Sequence, residues 1–401
     1  MGRVLVVVVI VFAAAAYVVV QLVRPDPPVS ASAVPLAATM PGTGSSLVWP
    51  AQGEAAVGVE GSGLLAAHGP QTATPLASVT KLMTAYVVLH DHPLAATATG
   101  PVITINATDV RTYQSEQRQG DSVVAVVAGE QLNELQALEG LLIPSGDNIA
   151  SLLATWDAGS TTAFVAKMNA AVKQLGLTNT RYVDVSGVAA GSESTAASQT
   201  RLAMADMTMP AFRAVVAMPQ VTLPVAGLQY NVDAELGKDG IVGVKTGWTT
   251  TAGGCFVFAG TTKINGRTRL VVGAVLDQQG TTAQPSALTA AFDAATALLV
   301  STDRAVEQAT VVRRGQTLGR LAVPWATSVP LRASRSVSFT GLPGERVHTT
   351  VDLPGRVDAP LAAHRRLGSL VVRLGNERVT VPLETSRALP GTPLSWRLTN
   401  V

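Results

Sequence analysis

The chain has few of the residues that staple, ligate or stack. Cys255 is the one cysteine in 401 residues, which excludes an internal disulfide, an iron–sulfur cluster and a cysteine-rich zinc site. The five histidines are scattered and build no HExxH pair, so no metal and no cofactor is expected. Aromatic residues make up 4%, leaving few platforms for stacked bases. With 29 basic and 27 acidic residues the net charge is +2. Nothing therefore draws the whole chain to a polyanion, and nucleic acid is not an expected partner. Apolar residues, at 47%, are plentiful, enough for a sizeable core and more than one domain.

One apolar run is long. Residues 4–23 carry no charge and match the ~20 residues that a helix needs to cross a bilayer. The apolar core of a cleaved signal is usually shorter, ~7–15 residues, so residues 1–24 are expected to form an uncleaved membrane anchor. Ala31-Ser32-Ala33 is the cleavage candidate if the protein is secreted instead. Arg3 and the amino group on one side, against Arg24 on the other, favour a single pass of the cell membrane with the remainder outside. Residues 25–46 are rich in Pro, Ser, Ala and Gly and are expected as a linker.

From 47 to 302 helical and strand patterns interleave. Apolar stretches at 55–59 and 64–67 flank Glu60-Gly61-Ser62-Gly63 and predict a hairpin. Helices are expected over 78–90, where Leu82, Tyr86 and Leu89 share a face, within 131–155, and over 162–175 and 285–300. Strands are expected at 240–244, 254–260 and 270–276. There is no βαβ period, so the expected fold is α+β, an antiparallel sheet flanked by helices. From 303 to 401 short strand-like runs at 309–312, 337–340, 370–374 and 379–383 recur between Pro and Gly turns, which predicts a separate C-terminal all-β domain. Counted from Arg304, this region holds 14 arginines, no lysine and 6 acidic residues, a net +8 hidden within the near-neutral total.

Three short stretches carry chemistry. In Ser78-Val79-Thr80-Lys81 the serine and lysine lie three residues apart, one helical turn, so the amine reaches the hydroxyl. A serine is a weak nucleophile until an adjacent base takes its proton, and backbone N–H groups at a helix start face developing negative charge. Pro144-Ser145-Gly146-Asp147-Asn148 is a polar turn between two apolar helical runs. Lys245-Thr246-Gly247-Trp248 ends a strand-like run. There Lys245 and Thr246 suit a carboxylate, and Gly247 lets a substrate backbone approach the strand closely. Each stretch alone is common in proteins of other function: a helix start, a loop with a capping serine, a turn at a strand edge.

Taken in order, S-x-x-K, an S-x-N-like turn and K-T-G form the motif set of penicillin-recognising serine enzymes. The wider sequence, through PLASVTKLMTAYVVL, VVAGEQLNELQALEGLLIPSGDNIA, FVAKMNAAVKQLGLTNTRYVDVSG and DGIVGVKTGWTTTAGGCFVFAG, resembles the D-alanyl-D-alanine carboxypeptidases, the low-molecular-mass penicillin-binding proteins of the type 5 group. The resemblance runs over about 47–300. It implies a β-lactamase/transpeptidase-like fold, with a D,D-peptidase domain at 47–302 and a basic β domain at 303–401. It further implies Ser78 as the acylated nucleophile, Lys81 as its base and Ser145 as a proton relay. Lys245, Thr246 and Gly247 would bind the substrate, with Asp147 and Asn148 on the central turn, and the N–H groups of Ser78 and Trp248 would form the oxyanion hole. The implied substrates are peptidoglycan stem peptides, and the implied inhibitors are β-lactams. For the arginine-rich domain an anionic envelope polymer is the expected partner.

Two departures stand out. Asp147 occupies the place where the family pattern has Asn, with Asn148 one position later. An ionised Asp only accepts hydrogen bonds, whereas an amide also donates, and a carboxylate facing Lys81 favours its charged form. A weakened enzyme, accelerated by Asp147→Asn, is therefore expected. The end of the chain, GTPLSWRLTNV, has no apolar stripe of the kind an amphipathic anchor needs. The alternatives are a serine β-lactamase, for which no Glu-containing deacylation loop is evident, and a catalytically impaired cell-wall binding protein, motivated by Asp147.

Overall fold

The structure is a computed structural model that describes residues 2–36, 38–264, 266–280 and 286–400. The chain divides into two compact units, Thr43–Glu307 and a second made of Met1–Gly42 with Gln308–Val401.

In the larger unit a five-stranded sheet runs in the order Ile241–Thr249, Gly253–Ile264, Arg267–Gln278, Glu54–Val59, Gly63–His68, antiparallel throughout. The hairpin at 54–68 forms with the expected turn. The strand expected at 240–244 continues to Thr249, because Lys245, Thr246 and Gly247 pair with Val257, Phe256 and Cys255 on the neighbouring strand. Apolar partners thus carry the chemistry-bearing residues into the sheet. All six residues of Glu54–Val59 are buried, the signature of a strand covered on both faces. Helices Ala196–Asp206 and Ala287–Ala305 pack on this sheet, the latter seating Phe292 edge-on against Phe256 at 5.0 Å between ring centres. The expected start of that last helix, Pro285, lies outside the described residues.

The helix Lys81–Asp91 buries its first nine residues on every side, rather than along the single stripe that Leu82, Tyr86 and Leu89 suggested. It is enclosed by helices Glu134–Leu142, Asp147–Ala158, Thr161–Gln174 and Ala196–Asp206. A helix that the apolar pattern did not announce, Ala107–Gln119, buries none of its residues fully. It is held by a capping box, in which Asn106 accepts from the N–H groups of Thr108 and Asp109 while Asp109 accepts from Asn106 N at 2.8 Å.

In the smaller unit a seven-stranded antiparallel sheet runs in the order Ser30–Ala33, Thr317–Val323, Ala326–Ala333, Glu377–Thr385, Arg366–Leu374, Arg346–Asp352, Ala38–Thr39. Two of these strands come from the stretch expected to be a linker. Ser30-Ala31-Ser32-Ala33 has small side chains and no alternation, but its backbone pairs with Gly319–Ala322, satisfying N–H and C=O groups on a strand that would otherwise be an open edge. The helix Gly2–Val23, 22 residues long, rises roughly 33 Å at 1.5 Å per residue and has the length and composition to cross a membrane. The end of the chain folds as one short helix, Leu394–Thr399, which packs against Gly2–Val23. Tyr17 donates its hydroxyl to Leu398 O at 3.0 Å, and Arg397 donates to Gln21 O at 3.0 Å, to Arg24 O and to the Asp26 carboxylate.

Candidate active site

The nucleophile candidate sits where the chain turns into its most buried helix. Ser78 lies in a 3-10 turn, Ala77–Thr80, directly before Lys81–Asp91, and Ala77 has φ +48°, a strained setting for a residue with a Cβ. The loop residue Gly187 presses on this turn; a Cβ there would stand 1.8 Å from Ala77 O. The loop is tied by Asp184, whose Oδ2 accepts from Gly187 N at 2.8 Å and Ala189 N at 3.2 Å. Lys81 is fully buried, and three oxygens surround its amine: Ser78 Oγ at 2.8 Å, Ser186 O at 3.2 Å and Asp147 Oδ1 at 2.6 Å. An ammonium has three N–H groups and no lone pair, so this arrangement is full.

The central turn supplies the third oxygen. Ser145 has φ +66°, and its buried Oγ has no hydrogen-bond partner among the described residues. Asp147 opens the helix Asp147–Ala158. Its Oδ2 accepts from Ser122 N at 3.0 Å, and its own N–H donates to Ser122 O at 2.7 Å. Asn148 does not join the cluster. Its Oδ1 accepts from Val124 N at 2.9 Å and its Nδ2 donates to Val124 O at 2.8 Å, so both ends of the amide staple the segment 122–124 to the helix. The Asn side chain one place along the turn thus serves the scaffold, and the Lys81 oxygen shell is completed by Asp147.

The strand Ile241–Thr249 forms the other wall and lies against the Ser78 turn. A Cβ on Gly247 would stand 2.8 Å from Leu76 O and 3.1 Å from Ser78 N, so only glycine lets this strand lie beside the serine's backbone. Lys245 is buried and donates to Thr246 O at 3.0 Å. Burial first, then the charge of Lys81, pushes its amine down to about 7, against the opposing pull of Asp147 and Asp233. Asp233, which no motif marked, is buried with Oδ2 unpartnered, and burial pushes it up to about 6. Trp248 is 55% exposed at the rim of a groove of about 580 Å³ bordered by Thr249, Gly253, Gln279, Ser286 and Leu288. Cys255 faces core; burial pushes its thiol up to about 12, which leaves no thiolate for chemistry.

A hydroxyl touching a buried amine, a second free hydroxyl and a buried lysine midway along the facing strand are the parts that an acyl-transfer site needs. Residues 51–280 match the peptidase S11 family, D-alanyl-D-alanine carboxypeptidase. This chain belongs to the D-alanyl-D-alanine carboxypeptidase family. The D-alanyl-D-alanine carboxypeptidase of Streptomyces sp. (strain K15) is 33% identical over 223 residues, 50% of this chain and 71% of its own length. The D-alanyl-D-alanine endopeptidase of Pseudomonas aeruginosa is 32% identical over 215 residues, 52% of this chain and 66% of its own. Penicillin binding protein 5 from Haemophilus influenzae shares the fold, with a TM-score of 0.60 at 21% identity over 87% of this chain and 99% of that one. The S96A mutant of the Streptomyces K15 DD-transpeptidase superposes with a TM-score of 0.54 over 64% of this chain and 98% of its own. The family is the type 5 low-molecular-mass group that the motifs pointed to, and the fold is the penicillin-recognising one. Membership favours the carboxypeptidase reading over a β-lactamase and over an impaired binding protein.

Proposed function

We propose that Ser78 is acylated by the penultimate D-alanine of a peptidoglycan stem peptide, releasing the terminal D-alanine, and that penicillins acylate the same oxygen. The observation that carries this is the 2.8 Å contact between Ser78 Oγ and the buried Lys81 amine. The reaction begins when Lys81, as free amine, takes the Ser78 proton while Oγ bonds to the substrate carbonyl carbon. The oxyanion is held by the N–H groups of Ser78 and Trp248; the tight fit of Gly247 on the Ser78 backbone supports that pairing. Ser145, with its free hydroxyl, hands a proton to the leaving amine as the C–N bond breaks. Water then hydrolyses the ester. Lys245 and Thr246 take the substrate's terminal carboxylate, and below about pH 7 Lys245 carries the charge this needs. The test is incubation of the full-length protein with diacetyl-Lys-D-Ala-D-Ala and with a fluorescent penicillin: D-alanine is released and one covalent adduct forms. Steady turnover of the penicillin, or no adduct at all, would overturn the reading.

The apolar helix Gly2–Val23 supports anchoring of the chain in the cell membrane with the residues after it outside, Arg3 lying on the inner side. The protein then fractionates with membranes, and protease added to intact cells lacking an outer barrier degrades it. Protein beginning near residue 34 and free in the culture fluid would show a cleaved signal instead. The 14 arginines from 304 onward support contact of the β unit with anionic envelope polymer, an attraction that salt weakens.

A further inference from the structure

One acidic side chain beside the Lys81–Asp147 pair has no part in the scheme above. Glu116 lies on the helix Ala107–Gln119, which packs against Asp147–Ala158. Ser151, one turn after Asp147 on the same face, donates to Glu116 Oε1 at 3.4 Å, and Glu116 Oε2 is buried without a hydrogen-bond partner. The carboxyl group borders a cavity of about 330 Å³ with Ser151, Thr161, Val183, Asp184 and Ser186. Ser186 is the residue whose carbonyl holds Lys81, so the cavity and the catalytic amine share a wall.

We propose that Glu116 is a positioning residue for acylation that works through Asp147: when ionised it eases transfer of the Lys81 proton to Asp147, and when neutral it leaves the ion pair closed. The inference rests on the Ser78–Lys81 reading. A closed pair holds Lys81 as an ammonium, which cannot take a proton from Ser78. The proton has a short path, from Nζ to Asp147 Oδ1 across 2.6 Å, giving a neutral amine and a neutral acid with no change in total charge. The amine then accepts the Ser78 proton as the Oγ–carbon bond forms, and that proton leaves with the amine of the broken C–N bond. A negative charge nearby disfavours the Asp147 carboxylate and favours the Lys81 ammonium, so the nearer partner decides the sign. Glu116 is held by Ser151, one turn along the same helix face from Asp147, and so lies on the Asp147 side of the pair; repulsion of the Asp147 carboxylate prevails and the transfer is eased. The charged groups facing Glu116 are Asp147, Asp121 and Lys81, with Asp184 across the cavity. Burial, reinforced by Asp147 and Asp121 and opposed by Ser151 and Lys81, pushes Glu116 up to about 7, so its ionisation falls inside the assay range.

The experiment compares second-order rates of acylation by a fluorescent penicillin between pH 5.5 and 8.5, using the full chain in detergent. Four proteins are needed: unaltered, Glu116→Gln, Asp147→Asn and the double variant. Taking the ratio of unaltered protein to Glu116→Gln at each pH cancels the titration of Lys245. That ratio should rise by about 3–10-fold from the acid to the alkaline end, centred near pH 7. In the Asp147→Asn background, where Glu116 has no carboxylate to act through, the rise should vanish. A ratio flat with pH while Asp147 is present would overturn the inference and leave the nucleophile intact. So would a rise that persists without Asp147. No adduct in the unaltered protein would overturn the nucleophile reading and the inference with it.

Discussion

Ser78→Ala should form no covalent penicillin adduct and release no D-alanine, while folding as the unaltered protein does. The substitution removes a single oxygen from a short turn whose shape is set by its neighbours: Ala77 at φ +48°, Gly187 pressed against Ala77 O, and Gly247 beside Ser78 N. None of these contacts needs the hydroxyl. Lys81 loses one acceptor at 2.8 Å and keeps Asp147 and Ser186. Intact-mass spectrometry after penicillin treatment, with circular dichroism for the fold, reads both halves of the expectation. An adduct that survives, or that maps to Ser145 in the unaltered protein, would move the nucleophile to the central turn.

Removing the base should cost almost as much. General bases typically contribute ~100–10,000-fold, and Lys81 is the one amine touching Ser78 Oγ among the described residues. Lys81→Ala by itself would confuse the result, because it strands the buried Asp147 carboxylate; breaking one side of a buried ion pair costs about 3–5 kcal/mol of stability. The cleaner comparison sets Lys81→Ala/Asp147→Asn against Asp147→Asn, since both lack the carboxylate. Acylation in the double variant should fall by about 100-fold or more. A fall of less than about tenfold, with the fold intact, would mean that another group takes the serine proton.

The parts of the site that could be read from sequence are those in which side chains do the work at fixed local spacing. Ser78 and Lys81 are one turn apart, and Lys245, Thr246 and Gly247 are consecutive. The position of Asp147 opposite Lys81 was legible because the turn carries the second motif. Other contributions have no such signature. Ser186 holds Lys81 through its backbone carbonyl, which any residue possesses; only Gly187 and Asp184 mark that loop as one that must approach closely. Glu116 was missed because its helix, Ala107–Gln119, has no apolar stripe, although its Asn106-to-Asp109 capping box was written in the sequence. Asn148 looked like a displaced substrate amide, and its hydrogen bonds to Val124 depend on a segment 24 residues away. The strand Ser30–Ala33 was hidden for a related reason: its pairing rests on backbone groups, and its small side chains give no period to detect.

The bond between Arg397 and the end of the long apolar helix changes how the β unit is carried. Twenty-two slack residues between membrane and domain would act as a leash, with a root-mean-square reach of about 25 Å, free to let the domain tumble in every direction. Here the residues after Val23 are taken up at once: Arg24 and Asp26 by the C-terminal helix, and 30–33 and 38–39 by the sheet. Where the helix crosses a bilayer, the β unit is then mounted on it like a bracket on a post. Its movement is then coupled to that of the helix, in place of the free reach of a slack chain.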